Sequence, residues 1–277
     1  MRNDTQGLEG GTTLVLGGTG KTGRRVVERL AARGLPVRVG SRGGTPPFDW
    51  QDETTWQPAL QEVQAVYVTY VPDLAFPGAT EKVEAFSALA VREGVRRLVL
   101  LSGRGEEAAL LAEEVVRNAG AEWTIVRASW FNQNFDEGML LPAVIQGEIA
   151  FPAGDTPEPF IDADDLADVA VAALTDGRHA GQVYEVSGPR LLTFGDAAME
   201  IGKALGRDVR YVPISAEQYA AALAENGGPV EFAELVAEVL DGRNAYLSDG
   251  VRRALGREPR DFADYARETA ASGVWTG

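Results

Sequence analysis

The run "LVLGGTGKTGRRVVERL" at residues 14–30 contains Gly20-Lys21-Thr22, the tripeptide that closes a phosphate-binding loop in nucleoside-triphosphate hydrolases. That loop needs a glycine five residues ahead of Gly20, and position 15 is Val15, inside an apolar run. The hydrolase reading fails there. The same residues satisfy two dinucleotide spacings, because Gly18, Gly20 and Gly23 spell G-x-G-x-x-G while Gly17, Gly20 and Gly23 spell G-x-x-G-x-x-G. Such glycines permit a tight turn and let the backbone approach a pyrophosphate, whose charge meets free N–H groups and the positive end of a helix dipole. A glycine turn without a ligand is the competing reading.

What flanks the loop favours the ligand. Residues 12–17, "TTLVLG", read as a buried strand, and residues 20–33 follow with Val26, Val27, Leu30 and Ala31 at helical spacing. "PVRVGS" is then a second strand, so the glycines sit in a strand–turn–helix–strand unit. In that setting an acidic residue after the second strand would bind the ribose 2′-hydroxyl of NAD. The sequence has Ser41 and Arg42 instead, and a guanidinium suits the 2′-phosphate of NADP, with Lys21 available as a second positive charge. The cofactor expected is therefore NADP(H), the alternative being that Arg42 is a solvated loop residue.

The strand–helix rhythm continues with strands at 65–71, 96–102 and 122–128 and helices near 77–93 and 106–119. The strands are continuously apolar and β-branched, as in a parallel sheet covered on both faces. The spacing predicts an α/β doubly wound Rossmann fold. After residue 129 the rhythm weakens, and the loop "FPAGDTPEPF" replaces compact units. A helix at 162–174 and a strand at 182–188 rejoin the sheet. Helices near 193–205, 215–225, 230–241 and 261–271, with "DVRYVPI" as a strand, then make a smaller, mainly helical part. The expected organisation is a flexible segment at 1–11, a nucleotide-binding domain at 12–190 with a substrate loop inserted near 130–160, and a substrate region at 191–277. Pocket specificity is expected in loops near 130–160 and 210–245.

Composition narrows the classes further. The 277 residues carry 26 basic and 41 acidic side chains, a net charge of −15, which opposes sequence-independent binding to nucleic acid or anionic membrane. No cysteine occurs, which removes disulfides, thiolate nucleophiles and cysteine metal sites, and a single histidine weakens histidine-based metal sites and Ser-His-Asp schemes. No metal site is expected. His179 reads as a solvated loop residue. The polar start and the lack of a long apolar run give the expectation of a cytoplasmic protein, monomer or homodimer, acting on a small hydrophobic substrate.

The combination of "LGGTGKTGRRV", "VRVGSR", "FDW", "AVYVTYVPD", "RRLVLLSGRG", "WTIVRASWFNQNF" and "PFIDADDLADVA" resembles the NmrA-like group of atypical short-chain dehydrogenases/reductases, over nearly the whole chain. Within it, "GGTGKTG" and "VYVTYVPD" are most similar to the branch of the ergot-alkaloid agroclavine dehydrogenases, which reduce an iminium with NADPH. The resemblance implies that Gly17, Thr19, Gly20, Lys21, Thr22 and Gly23 cradle the cofactor phosphates, with Ser41 and Arg42 at the adenosine ribose. It implies that Asp49 and Trp50 line the adenine and that Thr69, Tyr70, Val71 and Pro72 run beneath the cofactor. Ser102 and Gly103 would lie near the nicotinamide. Trp130, Phe131, Asn132 and Asn134 would border the substrate, with core packing as the competing role for Trp130 and Phe131.

One departure matters. Orthodox members use a Tyr-x-x-x-Lys pair to protonate a carbonyl oxygen, and none of the seven tyrosines here has lysine four residues later. The catalytic residues are therefore unknown, although Ser102 and Tyr70 are placed near the nicotinamide. Ser102 lacks a base and reads as a hydrogen-bond donor. Hydride attack on an iminium needs no simultaneous protonation, and a quinone or conjugated enone delocalises its oxyanion, so either acceptor suits a reductase without that pair. Asp162, Asp164 or Asp165 would favour a cationic substrate, or else stabilise the helix that they open. A non-catalytic redox sensor acting through protein partners is the alternative function.

Overall fold

In the computed structural model, which describes residues 11–276, β1 (Thr12–Leu16) enters the glycine turn, α1 (Lys21–Ala32) follows, and β2 (Val37–Gly40) returns parallel to β1. Expectations for residues 1–10 lie outside the described residues. The chain continues through α2 (Trp56–Leu60), β3 (Val63–Val68), α3 (Ala79–Arg92), β4 (Arg97–Gly103), α4 (Glu107–Asn118) and β5 (Glu122–Ala128). After α5 (Leu141–Gln146) and β6 (Glu148–Phe151), α6 (Ala163–Thr175) leads to β7 (Gln182–Val186). Then come α7 (Phe194–Leu205), β8 (Arg210–Pro213), α8 (Ala216–Glu225), α9 (Glu231–Val239), α10 (Gly250–Leu255) and α11 (Phe262–Ser272).

The main sheet is six-stranded and parallel, in the order β2-β1-β3-β4-β5-β7. Winding goes outward from β1 to β2 and then reverses through β3, so the carboxyl ends of β1 and β3 open a crevice where this architecture binds ligands. The fold is Rossmann-like, as the spacing predicts. One sheet face packs on α3 and α4 through a buried aromatic cluster in which Trp56 and Phe86 lie 5.8 Å apart. The other face packs on α1 and α6, with Val15, Val26, Tyr67 and Val169 all inaccessible.

A second core joins two distant parts of the chain. Phe135, Val144, Ile149, Phe151 and Phe160 pack against Phe194, Val236, Phe262 and Trp275. Residues 129–160 are thus more regular than their weak rhythm suggests. α5 and β6 are simply too short to show a period, and β6 gains its partner from far away, pairing parallel with β8 from Glu148↔Arg210 to Phe151↔Pro213. Ile149 and Phe151 face inward while their neighbours are exposed.

His179 differs from the solvated loop residue expected. It is 6% exposed, and its Nδ1 lies 2.8 Å from the Tyr184 hydroxyl. Its carbonyl accepts from the buried Thr124 hydroxyl at 2.7 Å, and burial lowers its pKa. The partner is on the following strand, which explains the burial. Among the described residues, no helix is long and apolar enough to cross a membrane, and no group of His, Asp and Glu is arranged to hold a metal ion.

Candidate active site

The glycine turn is built for close approach. Gly17 has φ +60°, a conformation that side chains rarely adopt, and its N-terminal strand ends there. A Cβ at Gly23 would run into the Gly17 carbonyl, so the first turn of α1 is pressed against the loop. α1 starts at Gly20 with no side chain capping it and no acidic residue in its first turn. Its free N–H groups and dipole are left for an anion. The loop therefore fits a dinucleotide pyrophosphate.

A cavity of about 370 Å³ opens beside this turn, across the carboxyl ends of β1, β3, β4 and β5. Gly17, Gly20, Lys21 and Thr22 line one side, and Thr69, Tyr70, Val71 and Pro72 line the loop after β3. Ser102 and Gly103 lie at the end of β4, and Trp130, Phe131 and Asn134 follow β5. Those thirteen residues, scattered in sequence, meet at one cleft. Thr19, Gly23, Ser41, Arg42, Asp49, Trp50 and Asn132 do not line it.

The outlying residues have other surroundings. Trp50 is buried, its indole N–H donating to the Thr69 carbonyl at 3.0 Å, with the Tyr70 ring 5.1 Å away. It therefore supports the loop after β3 from behind. The Asp49 carboxylate accepts from the Gln51 N–H at 2.9 Å. Arg42 is exposed just past β2 and has no ion-pair partner among the described residues. Asn132 is fully buried, and both polar atoms of its side chain lack a partner.

Several side chains in the cleft are already committed. The Lys21 ammonium donates to the Asn134 side chain and lies 5.8 Å from the Phe131 ring centroid. Burial lowers its pKa to about 8 against the opposing pull of Glu137 and Asp136. The Ser102 hydroxyl donates to Glu113 at 2.8 Å, and Glu113 also accepts twice from Arg127 at 2.6 Å. The Ser102 hydroxyl hydrogen is therefore committed to a buried network, on a carboxylate that the sequence pattern does not reveal. Trp130 lines the cleft and also packs edge-on against Phe151 at 5.6 Å.

The acids opening α6 do not line the cleft, which corrects the reading of them as a cation site. Asp162 caps α6, accepting from the Asp164 N–H at 2.9 Å, from Gln133 at 2.8 Å and from Arg260 at 3.1 Å. Asp164 pairs with Arg29 at 2.7 Å, and Asp165 pairs with Arg257. They stabilise the helix start and tie it to α1 and the C-terminal part.

The carboxyls that do line the cleft are others. Asp73 and Glu106 stand on the loops after β3 and β4, and Glu158 stands on the loop before α6. Glu158 is 1% exposed with its Oε1 unpartnered, and burial raises its pKa to about 7 despite Arg104. Phe232, Leu235, Val236 and Val239 of α9, with Met139, complete an apolar wall. α9 and Met139 fall within the two loop regions expected to set specificity. Asp73 and Glu106 carry no local pattern that marks them, since only the fold brings them together.

Fold and cleft together define a Rossmann-type nucleotide-binding protein with an apolar wall beside its crevice. The NmrA-like family model matches residues 109–266. Agroclavine dehydrogenase of Claviceps fusiformis is 33% identical, aligned over 95% of this chain and 98% of that one. The NAD(P)H azoreductase of Xenophilus azovorans is 33% identical over 94% and 98%. Among solved structures, the Citrobacter sp. triphenylmethane reductase complexed with NADP(H) shares the fold with a TM-score of 0.72, at 20% identity over 94% of this chain and 99% of that one. The chain belongs to the NmrA-like family.

Proposed function

We propose that this protein is an NADPH-dependent reductase that passes hydride to a small, hydrophobic, electron-poor acceptor, either an iminium or imine, or a quinone or conjugated enone. The observation that carries this reading is the single cleft joining the glycine turn to the apolar wall of α9. The dehydrogenase and azoreductase names of two relatives support redox chemistry on C–N or N–N systems. When bound, the reduced nicotinamide supplies the hydride.

The chain's own part is placement. Gly17, Thr19, Gly20, Lys21, Thr22 and Gly23 hold the phosphates, and Ser41 and Arg42 hold the 2′-phosphate end. Asp49 and Trp50 shape the adenine side. Thr69, Tyr70, Val71 and Pro72 support the cofactor, and Ser102 and Gly103 border its reactive ring. Trp130, Phe131 and Asn134 orient the acceptor, with the buried Asn132 behind them instead of against the acceptor as the resemblance implies, and the α9 wall excludes water. Orientation and desolvation of this kind lower the barrier without a Tyr-Lys pair.

The test is NADPH oxidation by purified protein across cyclic imines, quinones and enones, beside titrations with NADPH and NADH read by nicotinamide fluorescence. Turnover with one acceptor class and tighter binding of NADPH are expected. Tight binding with no turnover on any acceptor would favour the rival, a redox sensor, which a partner pull-down varying with the NADP/NADPH ratio would then identify.

A further inference from the structure

Glu106 and Asp73 have an arrangement that the placement of a cofactor does not explain. Glu106 occupies the N-cap position of α4, yet its side chain does not cap the helix. Its carboxyl folds back over Gly103, where a Cβ would sit on the carboxyl atoms. There it faces the cleft beside the end of β4, within hydrogen-bonding reach of the Asp73 carboxyl. Two carboxyls in such contact cannot both be ionised without strong repulsion, so the pair retains a proton. The buried Glu106 Oε2 has no hydrogen-bond donor to stabilise a charge on it. Glu158, nearly inaccessible and with an unpartnered Oε1, lines the same cavity and adds to its acidic character.

We infer that the Asp73–Glu106 pair is the proton source for neutral acceptors, taking the place of the absent tyrosine and lysine. The inference rests on the reductase reading above. Hydride arriving at the carbon of a C=N or C=O group leaves an electron pair on the nitrogen or oxygen. That pair takes the shared proton, the acceptor is reduced by two electrons, the dihydronicotinamide is oxidised, and the two carboxylates recover one proton from water. A permanently cationic iminium needs no such proton.

The surroundings keep the proton on the pair at neutral pH. Burial raises both carboxyls, and the neighbouring Asp73 and the Glu238 carboxylate of α9 push Glu106 further up, whereas the hydrogen bond with Glu106 pulls Asp73 down, so the proton resides on Glu106. Arg243 does not neutralise the pair, because it is spent on Glu238 at 2.8 Å, on Asp241 and on the Gly105 carbonyl. Arg104 points to the Tyr246 carbonyl at 2.6 Å. On the Asp73 side, the Ala75 N–H donates to the carboxylate at 2.9 Å, which partly favours ionisation of Asp73.

The experiment compares the full chain with its near-isosteric Glu106→Gln and Asp73→Asn variants, after melting temperatures have shown that both fold. In the apo protein at pH 7, the infrared spectrum of wild type minus Glu106→Gln should contain the C=O stretch of a protonated carboxyl. With NADPH, the loss of kcat on a weakly basic, neutral 3H-indole imine should exceed the loss on an N-methyl dihydroisoquinolinium cation by at least tenfold in each variant. A difference spectrum containing only carboxylate bands, or equal losses on both acceptors, would overturn the inference. Failure of the wild type to reduce either acceptor would sink the reductase reading and the proton transfer with it, while the infrared band would still report whether the pair holds a proton.

Discussion

Arg42 decides the cofactor if any single residue does. It is exposed immediately after β2, unpaired among the described residues, and no carboxylate precedes it where an NAD site would need one. A guanidinium on a 2′-phosphate makes a charge-assisted contact that NADH cannot offer. Arg42→Ala is expected to weaken NADPH on the order of tenfold and leave NADH within about twofold, read by nicotinamide fluorescence. Lys21 gives a second test at this scale. Its pKa is lowered to about 8, chiefly by burial, so near that pH about half of the population is neutral. An incoming pyrophosphate favours the charged form and raises the pKa again. NADP binding at pH 8 should therefore take up about half a proton more in the wild type than in Lys21→Met, measured by calorimetry in buffers of different ionisation enthalpy.

Among elements, the segment following β5 depends on its tie to α1. Glu137 accepts from Arg24 at 2.5 Å and from Arg25 at 2.7 Å, and Arg25 is itself mostly buried. Although burial pushes its pKa up, the two arginines outweigh that and lower it to about 2. A depressed carboxyl contributes stability that is fully present above its unfolded pKa and is lost as pH falls through the folded value. Glu137→Gln should thus cost about 1–2 kcal/mol at pH 7, a Tm drop of about 2–6 °C, with the gap from wild type closing between pH 4.5 and 2. Asn134 and Met139 flank this residue and line the cleft, so loosening the tie should also raise the acceptor KM more than the NADPH Kd.

Across the whole molecule, what the sequence made legible was what is local. The glycine turn, α1 and β2 could be read because a strand, a turn and a helix follow one another within thirty residues, each with its own periodicity. β6 could not, because four residues carry no period and its partner β8 lies some sixty residues on. Asp73, Glu106 and Glu158 escaped notice because their convergence is a property of the β-strand ends and not of any motif. Trp275 belongs to the same class. It is fully buried at the end of the described chain, donates from its indole N–H to the Phe135 carbonyl at 2.8 Å, and packs edge-on against Tyr265 at 6.0 Å. Tyr265 in turn donates to Asp136 at 2.7 Å, so the chain's last helix and the residues beyond it clamp the segment leading to the cleft. Trp275→Ala should cost about 3–5 kcal/mol, lowering Tm by about 6–15 °C. Because Trp275 belongs to the second core and not to those flanking the main sheet, the variant should retain NADPH affinity within about twofold at 20 °C while losing acceptor turnover. Equal loss of cofactor and acceptor binding would mean that the two parts do not behave as separate structural supports.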